Sequence, residues 1–153
     1  TGYVDAHESD TSVGARLEMW RTGIMLIEER PLFGWGKKGY MDRVKELISD
    51  GTVAPVVADH SHLHNEYIDA WVKRGIPGLL STLLLYGLPL MLFLQLYRHS
   101  DETARPYILG GVLTTVSYIV FGLTQAFLTH DDGVTLYAFT VVILWSLARE
   151  PQA

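Results

Sequence analysis

Hydrophobic and polar positions divide this chain into two unlike parts. Residues 76–97 and 107–128 are each runs of 22 residues without a charged side chain, and 133–148 is a third apolar run of 16. An α-helix rises ~1.5 Å per residue, so roughly 20 apolar residues cross a bilayer. The first two runs predict membrane helices. The third is short, and predicts a span that tilts little, borrows Leu128 and Thr129, or stops at an interface. Only helices and closed barrels satisfy their backbone inside lipid, and runs of this length choose the helix. The expected fold class is all-α: a polytopic helical membrane protein fragment, with a helical loop over 1–75 and about three transmembrane helices (76–97, 107–128, 133–148) over 76–153.

The first part is polar and periodic in pieces. Residues 1–11 form a polar connector. Ser12 is expected to cap a helix carrying Leu17, Trp20, Ile24 and Ile27 along one stripe, with Pro31 ending it. Residues 31–40 (PLFGWGKKGY) hold three glycines and three aromatics, which predicts tight turns and rings near lipid headgroups. Residues 41–49 predict a short amphipathic helix ended by Asp50-Gly51, and the β-branched stretch 52–58 predicts extended chain. From His64 to Arg74 the pattern is helical and runs into the first span, broken or tilted at Gly75-Ile76-Pro77-Gly78.

Charge follows the same division. Residues 1–75 carry nine of the twelve Lys and Arg and twelve of the seventeen Asp and Glu, so the net charge of −5 averages two unlike parts and excludes little. Cysteine is absent, which excludes a disulfide scaffold and thiol-ligated metals. The chain opens at Thr1, with no initiator methionine, signal peptide or apolar anchor before residue 76, and is expected to be the C-terminal part of a longer membrane protein. Arg98, Arg105 and Arg149 flank the later runs, while 129–132 has no Lys or Arg. Positive-inside counting then puts 98–106 and the tail in the cytoplasm, and 1–75 and 129–132 outside, since long loops translocate largely regardless of charge.

The candidate chemistry lies just before the first span, in residues 59–66 (DHSHLHNE). On extended chain His60, His62 and His64 point to one side. Such histidines act as a general base, because imidazole titrates near ~6.5. They also suit a Zn²⁺ site completed by Asp59 or Glu66, as in a metal-dependent membrane hydrolase, though no H-E-x-x-H or second cluster accompanies them. The plainest alternative is a polar loop with surface histidines. Arg16 shares a helix face with Trp20 and can grip a phosphate bidentately; otherwise it pairs with Glu or snorkels to headgroups. Lys37, Lys38, Lys73 and Arg74 suit headgroup contacts. His130-Asp131-Asp132 suits a solvated turn, or the lining of an external vestibule.

Arg16-Leu17-Glu18-Met19-Trp20, Pro31-Leu32-Phe33-Gly34-Trp35-Gly36, His64-Asn65-Glu66-Tyr67-Ile68 and Gly75-Ile76-Pro77-Gly78-Leu79 follow in that order, with a span immediately after. This pattern resembles the C-terminal half of the O-antigen ligase superfamily, whose large periplasmic loop carries R-x-x-x-W, P-x-x-G-x-G and H-N-x-[YF]-[LI]. The resemblance covers 12–97 by motif and the remainder by span layout. It implies a multi-pass bacterial inner-membrane glycosyltransferase that works without metal, other cofactor or nucleotide sugar. Such enzymes move a glycan from an undecaprenyl-diphosphate carrier to an acceptor hydroxyl on the periplasmic side. The acceptor is lipid A–core for ligases proper, while relatives polymerise O-antigen or glycosylate protein Ser/Thr. The partners implied are the lipid-linked glycan, its glycan or protein acceptor and membrane lipid, with no nucleic acid.

Carried onto this chain, the family's essential loop histidine falls on His64 and its loop arginine on Arg16. The resemblance gives His64 the deprotonation of the acceptor hydroxyl and Arg16 the charge of the leaving pyrophosphate, and direct attack would invert the anomeric centre. Asn65 would hold the loop or bind sugar. Trp20, Trp35 and Tyr67 would offer stacking surfaces, and His62 would support His64 or substitute for it. Lys73-Arg74 departs from the pattern, since many relatives carry an acidic or neutral residue there. Arginines on earlier loops lie outside these 153 residues, so this stretch alone is expected to be inactive. A zinc hydrolase would instead hold stoichiometric Zn²⁺. A transporter or assembly subunit would place ionisable residues inside its spans, and 76–97 and 107–128 carry none that is charged.

Overall fold

Thr11 opens the first helix of a computed structural model that describes residues 11–149. Those residues form α1 (Ser12–Glu29), α2 (Gly36–Ser49), α3 (Glu66–Tyr97), α4 (Arg105–Phe121) and α5 (Asp131–Arg149), with 3₁₀ turns at Pro55–Asp59 and Phe127–Thr129 and no strand among them. The fold is all-helical. α3 and α5 are long and apolar enough to cross a membrane.

The cap of α1 falls one residue earlier than expected: the Thr11 hydroxyl accepts the Gly14 N–H at 3.0 Å. Its buried face is also rotated from the expected stripe. Met19, Thr22, Gly23, Leu26 and Ile27 are buried, whereas Leu17 and Ile24 are exposed. Gly23 is the cause. A Cβ there would lie 2.6 Å from Ile68 and 2.9 Å from Leu63, so the bare backbone draws α1 onto α3 along that face. The stretch 52–58 is not extended. Thr52 and Val53 both donate to the Leu47 carbonyl at the end of α2, and Pro55–Asp59 tightens into a 3₁₀ turn that buries Val57. With no neighbouring strand to pair, β-branched residues serve here as core side chains beside Leu26, Tyr40 and Leu63.

Two sequence motifs meet to build the break in α3. At Gly75 the backbone leaves the helix (φ 66°, ψ −160°), and Pro77 removes the next donor but one. The freed groups are taken over by residues 31–35. Trp35 N–H donates to the Val72 carbonyl at 2.8 Å, Ile76 N–H donates to the carbonyls of Pro31 and Leu32 at 3.2 Å, and the Trp71 indole donates to Pro31 at 3.0 Å. Gly34 (φ 68°) packs directly on Gly75. The turn thus takes up the Val72 carbonyl and the Ile76 N–H at the kink.

Beyond the kink, α3 packs on α4 and α4 on α5. Phe93 packs on Gly111, where small residues bring helices close, and the rings of Tyr86, Tyr118 and Tyr137 meet edge-on or tilted between the helices. Tyr137 ties α5 to α3 by donating to the Leu85 carbonyl at 2.9 Å. Leu80, Leu84, Leu88 and Leu94 face outward. α4 stops at Phe121, before the apolar run 107–128 ends, and residues 122–130 turn back toward the polar cap.

Candidate active site

Asn65 starts the site by ending the loop. Its side-chain oxygen caps α3, accepting the N–H groups of Tyr67 at 3.1 Å and Ile68 at 3.0 Å, and its amide donates to the Leu123 carbonyl at 2.9 Å. Glu66 N–H reaches the Gly122 carbonyl at 2.8 Å, and the fully buried Glu66 carboxylate accepts the Leu128 N–H at 2.8 Å. These bonds seat the returning segment 122–130 against the histidine loop.

Leu63 is pinned as firmly on the other side. Its side chain is fully buried, its N–H donates to buried Asp69 at 3.1 Å, and its carbonyl accepts the Trp20 indole at 3.0 Å. Lys73 reaches both Asp69 and, at 2.8 Å, the Ser61 carbonyl, with its ammonium over the Tyr40 ring. Lys73 is thus an internal brace for the loop, not the headgroup contact its position by a span predicted. An ammonium this close to a buried carboxylate stays where the carboxylate holds it.

His64 lies between these two anchors in the left-handed region (φ 48°), a conformation that non-glycine residues adopt rarely and chiefly where function or strain requires it. Its half-buried ring meets Gln125 on the returning segment, Nδ1 to Oε1 at 2.7 Å. With the amide oxygen turned toward it, Nδ1 is the donor in this contact, and Nε2 is the ring nitrogen that Gln125 leaves unengaged. His62 and His64 have ring centroids 4.4 Å apart, His60 and His64 4.9 Å, and His62 and His130 5.1 Å. The three loop histidines converge, though on an irregular loop and not on a strand. Among the described residues no three His, Asp or Glu side chains are arranged to hold a metal ion.

His62 has its pKa pushed down to about 4, first by burial and then by the neighbouring His64 and His130. Its Nε2 is buried without a hydrogen-bond partner among the described residues. In the unfolded chain the same ring titrates near ~6.5. The folded protein therefore keeps its full His62 contribution above ~6.5 and loses it as pH falls toward about 4, because the unfolded state takes up the proton first. Thermal unfolding in detergent should show this acid loss, and His62→Gln should flatten it across that window; identical pH slopes for the two proteins would remove His62 as the cause.

The other expected site residues hold the cap together. Trp20 spends its indole N–H on Leu63, Trp35 donates to the Leu26 carbonyl at 2.9 Å beneath the Arg30 guanidinium, and Tyr67 donates to the Ile119 carbonyl at 2.9 Å. Arg16 lies one turn before Trp20, partly buried, and its side chain makes no hydrogen bond or ion pair among the described residues. Gln125 is new to the site, and His130, which suits a turn or a vestibule lining, joins the cluster through His62. Gln125 is the only side-chain amide in the apolar run 107–128, a polar exception close behind Gly122 that marks where the run stops being a helix.

Fold and site define a helical membrane protein whose polar cap carries a histidine cluster above the ends of its helices. The O-antigen ligase family model matches residues 2–83. The chain is 34% identical over 136 residues to an uncharacterized protein of Haemophilus influenzae (strain ATCC 51907 / DSM 11121 / KW20 / Rd), covering 88% of this chain and 34% of that protein. It is 28% identical over 144 residues to an O-antigen ligase of Escherichia coli (strain K12), covering 93% of this chain and 32% of that protein. The chain spans about a third of the length of these curated relatives. It belongs to the O-antigen ligase family, a family of glycan-transferring ligases and polymerases.

Proposed function

We propose that this chain supplies the catalytic loop of an inverting, metal-independent glycosyltransferase. Its reaction moves a glycan from an undecaprenyl-diphosphate carrier to an acceptor hydroxyl, in the first instance O-antigen to lipid A–core. In this reading the loop lies on the periplasmic side of the bacterial inner membrane. The observation that carries the proposal is His64: a strained backbone, anchors on both sides, and a ring whose Nδ1 is occupied by Gln125 so that Nε2 is left as a base. Family membership supports glycan or lipid-linked substrates in general.

In the proposed step His64 Nε2 takes the proton of the acceptor hydroxyl as its oxygen attacks the anomeric carbon. The bond from that carbon to the phosphate oxygen breaks, and undecaprenyl diphosphate leaves with the electron pair. Arg16, cationic and without a side-chain partner among the described residues, offsets the developing negative charge. Polymerisation of O-antigen or transfer to protein Ser/Thr uses the same step with another acceptor, and remains the second reading because nothing in the loop selects the acceptor.

The test is restoration of O-antigen attachment in a strain lacking its ligase, by the full-length gene, scored on lipopolysaccharide gels. Attachment supports ligation. Lengthened but unattached O-antigen would move polymerisation ahead, and an unchanged pattern in both would reject both acceptors. Gln125→Ala should slow transfer about tenfold or more while leaving protein levels intact, since it frees the tautomer without removing the base. Gln125→Glu, which still accepts from Nδ1–H, should recover part of the loss. Unchanged rates in Gln125→Ala would show that the tautomer is set elsewhere.

A further inference from the structure

Leu32 and Phe33 form a bare apolar tip on the turn between α1 and α2. Phe33 is 82% exposed and Leu32 58%, at the tip of a turn whose other members are engaged in backbone bonds. Their level relative to the spans is fixed. Ile76, the first residue of the uncharged run, donates its N–H to the Pro31 and Leu32 carbonyls, and the Gly34 backbone lies against Gly75. The two side chains therefore project at the height where α3 begins its apolar run. They adjoin an outward surface of Ile76, Leu80 and Leu84 that faces lipid in a spanning helix.

Cations predominate around the tip, although Glu28 and Glu29 are exposed there too and Glu29 is paired with Arg43. Arg30, Lys37, Lys38 and Arg74 are all exposed within a few residues of it or of its contact on α3, and Arg30 is held over the Trp35 ring. An apolar tip with four exposed cations beside it fits a bilayer surface, with acyl chains taking the two side chains and anionic headgroups the cations. A water-facing turn gains nothing from an unshielded Phe, and a soluble partner surface would not need to sit flush with the start of a span.

We propose that Leu32 and Phe33 are a lipid-inserted wedge that seats the polar cap on the membrane beside the first span. The occupant of this surface is bilayer lipid at the boundary between acyl chains and headgroups. The inference rests on the chain spanning a membrane and is independent of which glycan is moved. Because the turn is locked to the kink by backbone bonds, the wedge also fixes how the cap sits over the helices.

This chain has no cysteine, so single nitroxide probes are simple to place in it. The full-length protein, freed of any cysteine elsewhere, would carry Phe33→Cys and be reconstituted in phosphatidylethanolamine–phosphatidylglycerol vesicles. Leu84→Cys serves as the lipid reference and Lys45→Cys as the water reference, both at exposed positions. Collision with oxygen at position 33 should exceed that at 45 several-fold, and collision with a water-soluble nickel chelate should fall several-fold, both approaching the values at 84. Values matching Lys45→Cys would overturn the wedge. Protection from both reagents would also overturn it, in favour of a protein segment over the tip. Should Phe33→Cys fail to assemble, Leu32→Cys reports on the same surface. A water-accessible probe at 84 would instead overturn the membrane reading on which the wedge depends.

Discussion

His64→Ala in the full-length protein should lower glycan transfer by roughly 10²–10⁴-fold, the usual contribution of a positioned general base, with little change in the amount of folded protein. The ring is only half-buried and its single hydrogen bond is to Gln125, so its removal leaves no buried polar group stranded in the core. Alanine does disfavour the left-handed backbone at this position, by about 1 kcal/mol. His64→Gly separates the two effects, since glycine accepts that backbone freely and still lacks the base. Both variants should be equally inactive in the lipopolysaccharide assay. His60→Gln and His62→Gln should retain most of the rate, as His60 is exposed and His62 is held neutral by burial. Wild-type attachment in His64→Gly would end the assignment of the base. Equal losses at all three histidines would transfer the role to the cluster as a whole.

How much of this was legible beforehand depended on the range of the interaction. Helix class and the apolar runs were legible because length and hydropathy are local properties. The break at Gly75 was legible too, since a Gly-x-Pro-Gly run cannot keep an unbroken ladder. The buried face of α1 was not, because it is set by the approach of Leu63 and Ile68 to Gly23, residues far apart in sequence. The 3₁₀ turn over 55–59 was missed for a similar reason: β-branched residues follow a strand preference only when a strand is there to pair. In the site, His64 and Asn65 stood out by spacing and by resemblance. Gln125 did not, because a run of uncharged residues conceals the place where a helix ends and the chain turns back, while His130 stood out only as a turn or vestibule residue and not as a neighbour of His62. Trp20, Trp35 and Tyr67 were read as stacking surfaces, and their N–H and O–H groups turn out to anchor backbone carbonyls across the cap.

Gly75→Ala should cost the protein most of its stability, because the P-x-x-G-x-G and G-x-P-G segments form one device at that point. The native backbone there (φ 66°, ψ −160°) lies in a region essentially reserved for glycine. A Cβ would also sit 2.2 Å from the Leu32 carbonyl oxygen and 2.6 Å from the Phe33 nitrogen, both backbone atoms that cannot rotate away. Relief requires parting the turn from α3, which breaks the Ile76 and Trp35 N–H bonds. A polar group left unpaired away from water costs about 1–3 kcal/mol, and with the backbone strain the sum approaches the ~5–15 kcal/mol by which whole domains are stable. Gly36→Ala and Gly51→Ala are the controls. They share the positive φ (68° and 77°) yet have nothing within 4 Å of the added carbon, so each should cost only about 1 kcal/mol. Thermal unfolding and monodisperse yield in detergent should therefore collapse for Gly75→Ala and shift by only a few degrees for the other two. If the three variants melt together, strain alone matters at Gly75, and the contact between the turn and the span contributes little to holding the cap.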